Sequence, residues 1–186
     1  MELPYFSIHD FQRYQQALAF AACKHANQRR KNRQASPYIN HPLSLVTVLL
    51  QEAYVWDMDV LIASLLHDVL EDTATTYDEI HEQFGAQVAE LVDSVSDDKS
   101  LPKQDRKRLQ IEHASSSPYR VRLIKLADKI CNLRDLLDEP MDWPLARKQE
   151  YFDWAKAVVD EMRGTHPVLE ALFDEIYAQR HRLCDN

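Results

Sequence analysis

"VLIASLLHDVLED", residues 60–72, decides the fold. The stretch is apolar from Val60 to Leu66 and then turns abruptly polar at His67, Asp68, Glu71 and Asp72. It reads as a helix that starts near Asp57 and runs through Asp72, with groups able to bind metals or protons gathered at its end. Those groups are either a capped, solvated helix end or part of a catalytic centre.

Working outward, helix signals recur and strand signals are nearly absent. Ser7 with Asp10 three residues on forms a capping box, opening a helix through "FQRYQQALAFAACKHANQRRK" to Lys31, with Phe11, Tyr14, Leu18 and Ala22 at helical spacing. "NRQASPY" is a loop, and Pro42 sits near the first turn of "PLSLVTVLLQEA". Thr76 with Glu79 forms a second capping box, and Gly85 ends that helix. Five more segments follow, beginning with "AQVAELVDSVS", several with a proline just inside the start. The expectation is an all-α fold of roughly eight to ten helices in one domain spanning residues 1–186, a length that buries about 70% of the unfolded surface without a disulfide or structural metal.

Composition removes several function classes. Two glycines in 186 residues exclude a Walker loop or a dinucleotide fingerprint. A net charge of −8 argues against general nucleic-acid binding. Three widely spaced cysteines with no CxxC pair form a reduced, intracellular pattern. The N-terminus lacks the basic and apolar regions of a signal peptide, and no apolar run is long enough for a membrane span. The expected location is the cytoplasm, with no nucleic-acid or membrane partner.

Candidate ligands are spread along the chain: His41 in "YINHPL", His67-Asp68, and Asp128 in "IKLADKICNL". Taken singly, His41 is an ordinary loop histidine and His67-Asp68 an ordinary helix end. Asp128 lies among apolar neighbours, where an unpaired carboxylate is costly, so it is either paired or coordinating a cation. Together, two imidazoles and two carboxylates make a nitrogen–oxygen set suited to Mn²⁺, Fe²⁺ or Zn²⁺, with positions left for water and substrate.

His…HD…Asp at these spacings resembles the HD-domain phosphohydrolases. "QRRKNRQASPYINHPL", "LLHDVLEDT", "SDDKSLPKQDRKRLQ", "KLADKICNLRDL" and "RKQEYFDWA" are similar, in order, to the hydrolase domain of the RelA/SpoT family, and above all to its single-domain members. The resemblance implies an HD-domain helical bundle. It implies that His41, His67, Asp68 and Asp128 hold one Mn²⁺ ion and that Glu71 and Asp72 act on the attacking water. On an unbroken helix Glu71 lies one turn beyond His67 and Asp72 one turn beyond Asp68. The resemblance further implies that Arg30, Lys31, Asn132, Arg147 and Tyr151 contact substrate. It implies hydrolysis of (p)ppGpp at the 3′-pyrophosphate, removing the stringent-response alarmone. The alternatives are removal of the 2′-phosphate of NADPH, or of another nucleotide's phosphate, at the same centre, and a non-catalytic alarmone binder.

Some residues keep plainer readings. Arg29 and Arg33 read as a solvated helix end, and Arg147 can equally pair with Glu150 or Glu161. Lys99, Lys103, Arg106, Lys107 and Arg108 read as a solvated basic helix. One departure from the family stands out: the loop before "PY" usually contains glycine, and here Ala35 takes that place.

Overall fold

The structure is a computed structural model, and it describes residues 6–138 and 141–184. Among these residues the all-α expectation holds: strand-like pairing is confined to isolated bridges, such as that between Asn32 and Met141. The chain divides into two compact units.

The first unit contains residues 6–28 and 37–96. It holds α1 (Ile8–Lys24), α2 (Asn40–Thr47), α3 (Met58–Leu66), α4 (Val69–Asp72), α5 (Tyr77–Phe84) and α6 (Ala86–Val95). Every residue from Val60 to Leu66 is buried, so α3 is a central helix, with α1, α2 and α6 packed on it. Asp57 caps α3 by accepting from the Val60 amide. Arg13 on α1 pairs with Asp59 at 2.8 Å.

Local chemistry sets the boundaries. The Ser7/Asp10 capping box forms in both directions. The second expected box forms only in half: the Thr76 hydroxyl accepts from the Glu79 amide, but the Glu79 carboxylate is engaged by Lys24 at 2.9 and 3.0 Å. Gly85 ends α5 at φ +89°, a backbone state that a Cβ disfavours, and α6 starts directly after it.

Two boundaries differ from expectation. First, α1 stops at Lys24 rather than Lys31. His25 caps it, bonding back to Ala21 and Cys23 through its backbone, while its Nδ1 lies 2.7 Å from Gln28 Oε1 and its ring rests on Tyr38. Second, the helix expected from Asp57 to Asp72 breaks at His67-Asp68. There the His67 ring bonds to the Ser64 carbonyl three residues back, a side-chain alternative to continued helix. The turn from Asp68 to Asp72 survives, with the Asp72 amide donating to Asp68 O at 2.8 Å, but His67 and Glu71 do not share one continuous helix.

The second unit contains residues 29–36, 97–138 and 141–184. It holds α7 (Lys103–Glu112), α8 (Tyr119–Asp138), α9 (Leu145–Asp160) and α10 (Pro167–Ala178), then a 3₁₀ turn (Gln179–Arg182). The apolar face of α8, with Leu123, Ile124, Ala127 and Leu133, is covered by α9 and α10. Helix α7 buries no residue and packs on α9.

The 29–36 segment is stitched by Asn32. Its side chain bonds to Ser36 N at 3.0 Å and Ser36 Oγ at 2.8 Å, and Arg30 N reaches Ser36 O at 2.9 Å. These bonds hold Ala35 at φ +48°, in the left-handed region. The conformation suited to the family's glycine is kept here at a strain cost of about 1–2 kcal/mol. Ala35→Gly should therefore stabilise the fold by about 1 kcal/mol, less than the strain itself because glycine loses more backbone entropy on folding. Urea unfolding of the two proteins measures this, and a destabilised Gly variant would contradict the strain.

Candidate active site

In the first unit, His41 and His67 are both buried, and ring nitrogens from the two lie within 4.8 Å of one another. His41 is in the first turn of α2, and His67 is where α3 ends. The tautomer of His67 follows from its hydrogen bond. The Ser64 carbonyl can only accept, so the proton sits on Nδ1, 2.8 Å away. Nε2 lies 2.9 Å from Asp68 Oδ2, an ion pair when the ring carries a second proton and two facing acceptors when the ring is neutral. That oxygen also accepts the Tyr38 hydroxyl. In the neutral ring the two acceptors repel at that distance, and either a second ring proton or a divalent cation relieves the repulsion. The Ser64 carbonyl at the far nitrogen of His67 and the Tyr38 hydroxyl on the facing oxygen of Asp68 orient the two side chains, as the partners of metal ligands characteristically do. The residues present fit a divalent metal.

Glu71 and Asp72 follow on α4, both half-buried. The short helix is pinned by buried Val69, by Thr73 Oγ1 donating to Val69 O at 2.6 Å, and by Gln28 Nε2 donating to Asp72 O at 2.6 Å. With Val69 turned inward, the 100° step per residue carries Glu71 to the far side of the helix.

In the second unit, Asp128 is paired rather than bare. Its Oδ2 lies 3.0 Å from the Lys129 ammonium, and its Oδ1 accepts from Asn132 Nδ2 at 2.6 Å. Asn132 Oδ1 in turn accepts from Arg30 at 3.1 Å, and Arg30 also pairs with Asp135. Thus Arg30, Asn132 and Asp128, three residues singled out from the sequence, form one hydrogen-bonded chain.

The same unit contains a cleft of about 410 Å³. Lys31, Arg147 and Tyr151 line it, three further residues singled out from the sequence. Arg147 stacks on Trp143, its guanidinium carbon 3.8 Å from the ring centroid, so the rival pairing with Glu150 or Glu161 is not what holds it. Arg33 does pair with a surface acid, Asp142, at 3.0 Å. Lys103, Arg106 and Lys107 also line the cleft, which corrects the reading of that run as simply solvated. Arg108 keeps that reading: it is exposed and bonded to Glu112. The overlooked signal was periodicity: Lys103, Arg106, Lys107 and Gln110 repeat at helical spacing on α7, as do Arg147, Glu150, Tyr151 and Trp154 on α9. The outer partners Tyr38 and Ser64 left no sequence signal that separates them from ordinary residues.

The model of the family described as HD domain matches residues 17–153, and the chain belongs to that family. Among its relatives is a protein of Drosophila melanogaster named guanosine-3′,5′-bis(diphosphate) 3′-pyrophosphohydrolase MESH1. It is 51% identical over 169 residues, covering 90% of this chain and 94% of that protein. The human protein of the same name is 51% identical over 166 residues, covering 89% and 93%. The bifunctional (p)ppGpp synthase/hydrolase SpoT of Escherichia coli is 34% identical, and there the match covers 96% of this chain but 26% of the longer protein. A solved structure described as "A metazoan ortholog of SpoT hydrolyzes ppGpp and plays a role in starvation responses" superposes with a TM-score of 0.89 at 49% identity, covering 97% of this chain and 99% of that one. Among the described residues, no helix is long and apolar enough to cross a membrane.

Two lysines of the second unit are held out of their ordinary range. Burial pushes Lys125 down, and the nearby Lys129 adds to this against the pull of Asp97 and Asp128. Burial likewise pushes Lys107 down, helped by Lys103, Lys129 and Arg147 and opposed by Glu150. A lysine with a lower pKa folded than unfolded costs stability while it is ionised. The cost is full below the folded pKa and fades as pH rises toward the unfolded value. Lys125→Met should therefore raise the urea midpoint at neutral pH, with the gain shrinking in alkali. A lower midpoint at neutral pH would show that Asp97 and Asp128 outweigh the burial.

Proposed function

We propose that this chain is a metal-dependent 3′-pyrophosphohydrolase of guanosine alarmones, converting ppGpp or pppGpp to GDP or GTP and pyrophosphate. The observation that carries the reading is the His67–Asp68 pair, 2.9 Å apart and oriented by Ser64 and Tyr38, in a chain about half identical to proteins named for this activity.

His41, His67, Asp68 and Asp128 are the residues that would hold one divalent ion, and Mn²⁺ suits their mixture of imidazole and carboxylate. When bound, such an ion supplies Lewis-acid polarisation and acidifies water near neutral pH. In the reaction a water oxygen bonds to phosphorus, the bond from that phosphorus to the ribose 3′ oxygen breaks, and a proton ends on the 3′ oxygen. Glu71 and Asp72 are the groups to orient that water and carry its proton, since both follow the ligand pair in the short helix α4. Arg30 and Lys31 neutralise phosphate charge, and Asn132 meets the nucleoside. Arg30 already bonds to a carboxylate, so a phosphate would take the place of Asp135 by exchange of one anion for another. Arg147 and Tyr151 supply a cation and a ring on the cleft wall.

Incubating the purified protein with Mn²⁺ and ppGpp should release pyrophosphate, with NADPH run in parallel. A protein that binds Mn²⁺ yet releases no pyrophosphate refutes the reading, and a higher kcat/KM on NADPH moves the assignment to a 2′-phosphatase. Tyr38→Phe removes only the hydroxyl that orients Asp68, so Mn²⁺ affinity measured by calorimetric titration should fall by about tenfold. Unchanged affinity would mean that Tyr38 does not support a metal ligand.

A further inference from the structure

The cleft of the second unit carries more positive charge than a single phosphate group needs. In a chain of net charge −8 it gathers five cations, Lys31, Lys103, Arg106, Lys107 and Arg147, against the carboxylates of Asp97 and Glu150. One of those carboxylates is already occupied: Asp97 lies 3.6 Å from Arg106 and accepts from Gln110 at 2.9 Å. The surplus suits a chain of phosphates.

Lys107 is held in this group by two aromatic rings. Its neighbour Arg108 faces solvent and pairs with Glu112 on its own helix. Lys107 turns the other way, and its ammonium lies 4.9 Å from the centroid of Trp154 and 5.8 Å from that of Tyr151. Aromatic faces attract a cation without neutralising it, so the charge stays available to an incoming anion. Trp154 is itself fixed, its Nε1 donating to the Lys107 carbonyl at 3.1 Å. The same ring receives Lys129 at 4.5 Å, and Lys129 lies 3.0 Å from Asp128 Oδ2. One lysine and one indole therefore separate the Asp128 carboxylate from Lys107. A nucleotide with a phosphate chain at each end, cleaved at the Asp128 end, would extend its other chain toward Lys107.

We propose that Lys107 is a specificity-determining residue that binds the 5′-phosphate chain of the substrate, the end that is not cleaved. This rests on the 3′-pyrophosphohydrolase reading above. It assigns to Lys107 the discrimination among guanosine 3′-diphosphates that carry one, two or three 5′ phosphates. The depressed pKa of Lys107, from burial and then from Lys103, is consistent with a cation that gains from a polyanion beside it.

The test compares wild type, Lys107→Met and Lys107→Arg on the three substrates with Mn²⁺. Met keeps the stem that covers the rings, and Arg keeps the charge. In the wild type KM should fall as the 5′ chain lengthens. In Lys107→Met that trend should flatten, with KM for the 5′-diphosphate and 5′-triphosphate substrates raised about tenfold, as for one lost charge-assisted hydrogen bond, and kcat nearly unchanged. Lys107→Arg should restore the trend. A KM raised equally on all three substrates, or unchanged on all, overturns the proposal and leaves Lys107 a packing residue. If Lys107→Met does not fold, as judged by its thermal melt, Lys107→Gln replaces it in the same comparison. If the wild type cleaves none of the three, the functional reading fails separately. Calorimetric titration with inorganic tripolyphosphate then reads Lys107 directly: about tenfold weaker binding in the variant supports phosphate-chain binding, and equal affinity overturns it.

Discussion

Helix α3 is buried on every side, and the first unit depends on that constraint. A helix with one apolar face can slide or roll against its neighbours. One whose residues Val60 through Leu66 are all buried cannot rotate without exposing some of them at about 25 cal/mol per Å². Its only polar side chain in that span, Ser64, is satisfied within the helix, donating to Val60 O at 2.7 Å. The carbonyl of the same residue receives the His67 ring. The core thus fixes Ser64, Ser64 fixes the orientation of the imidazole, and that orientation brings Nε2 to 2.9 Å from Asp68. A ligand held in this way has little freedom left to lose when a cation arrives.

In the second unit a polar network does comparable work. Asp135, Arg30, Asn132 and Asp128 are joined by hydrogen bonds, and Lys129, itself buried, closes the far side of Asp128. Partly buried charges of this kind add little net stability, because desolvation consumes much of the Coulombic gain. What they supply is geometry. Both Asp128 oxygens have a set direction, and Asn132 is oriented by bonds at both ends of its amide.

Much of this was legible in the sequence where the signal is local. Ser7 with Asp10 and Gly85 mark helix ends through bonds and backbone angles within a few residues, and both behave as expected. Local signals failed where a distant residue competed for the same group. Glu79 leaves its capping box for Lys24, 55 residues away in sequence. Helix α1 ends early because His25 has Tyr38 and Gln28 to meet. The break after Leu66 was invisible because His67 and Asp68 are tolerable helix residues; the ring's bond to Ser64 is a property of the folded site. The candidate site residues were singled out through their resemblance to a family, since His41 carries no mark of its own and Asp128 only that of a carboxylate among apolar neighbours. Their outer partners, Tyr38 and Ser64, are common residues in common surroundings.

Helix α7 shows why a functional face can be hidden in plain composition. It buries no residue, so no apolar stripe reveals which side faces inward. Its periodicity is one of charge. Lys103, Arg106 and Lys107 turn to the cleft, while Asp105, Arg108 and Glu112 neutralise one another outside. What attaches α7 to α9 is the Trp154–Lys107 backbone bond and the cation–ring contacts of Lys107, which are worth little individually compared with a packed core. The contacts that dock the helix are therefore also the ones that form the cleft wall. A polyanion in the cleft would be drawn to cations on both helices, so its binding energy would add directly to the weak attachment of α7.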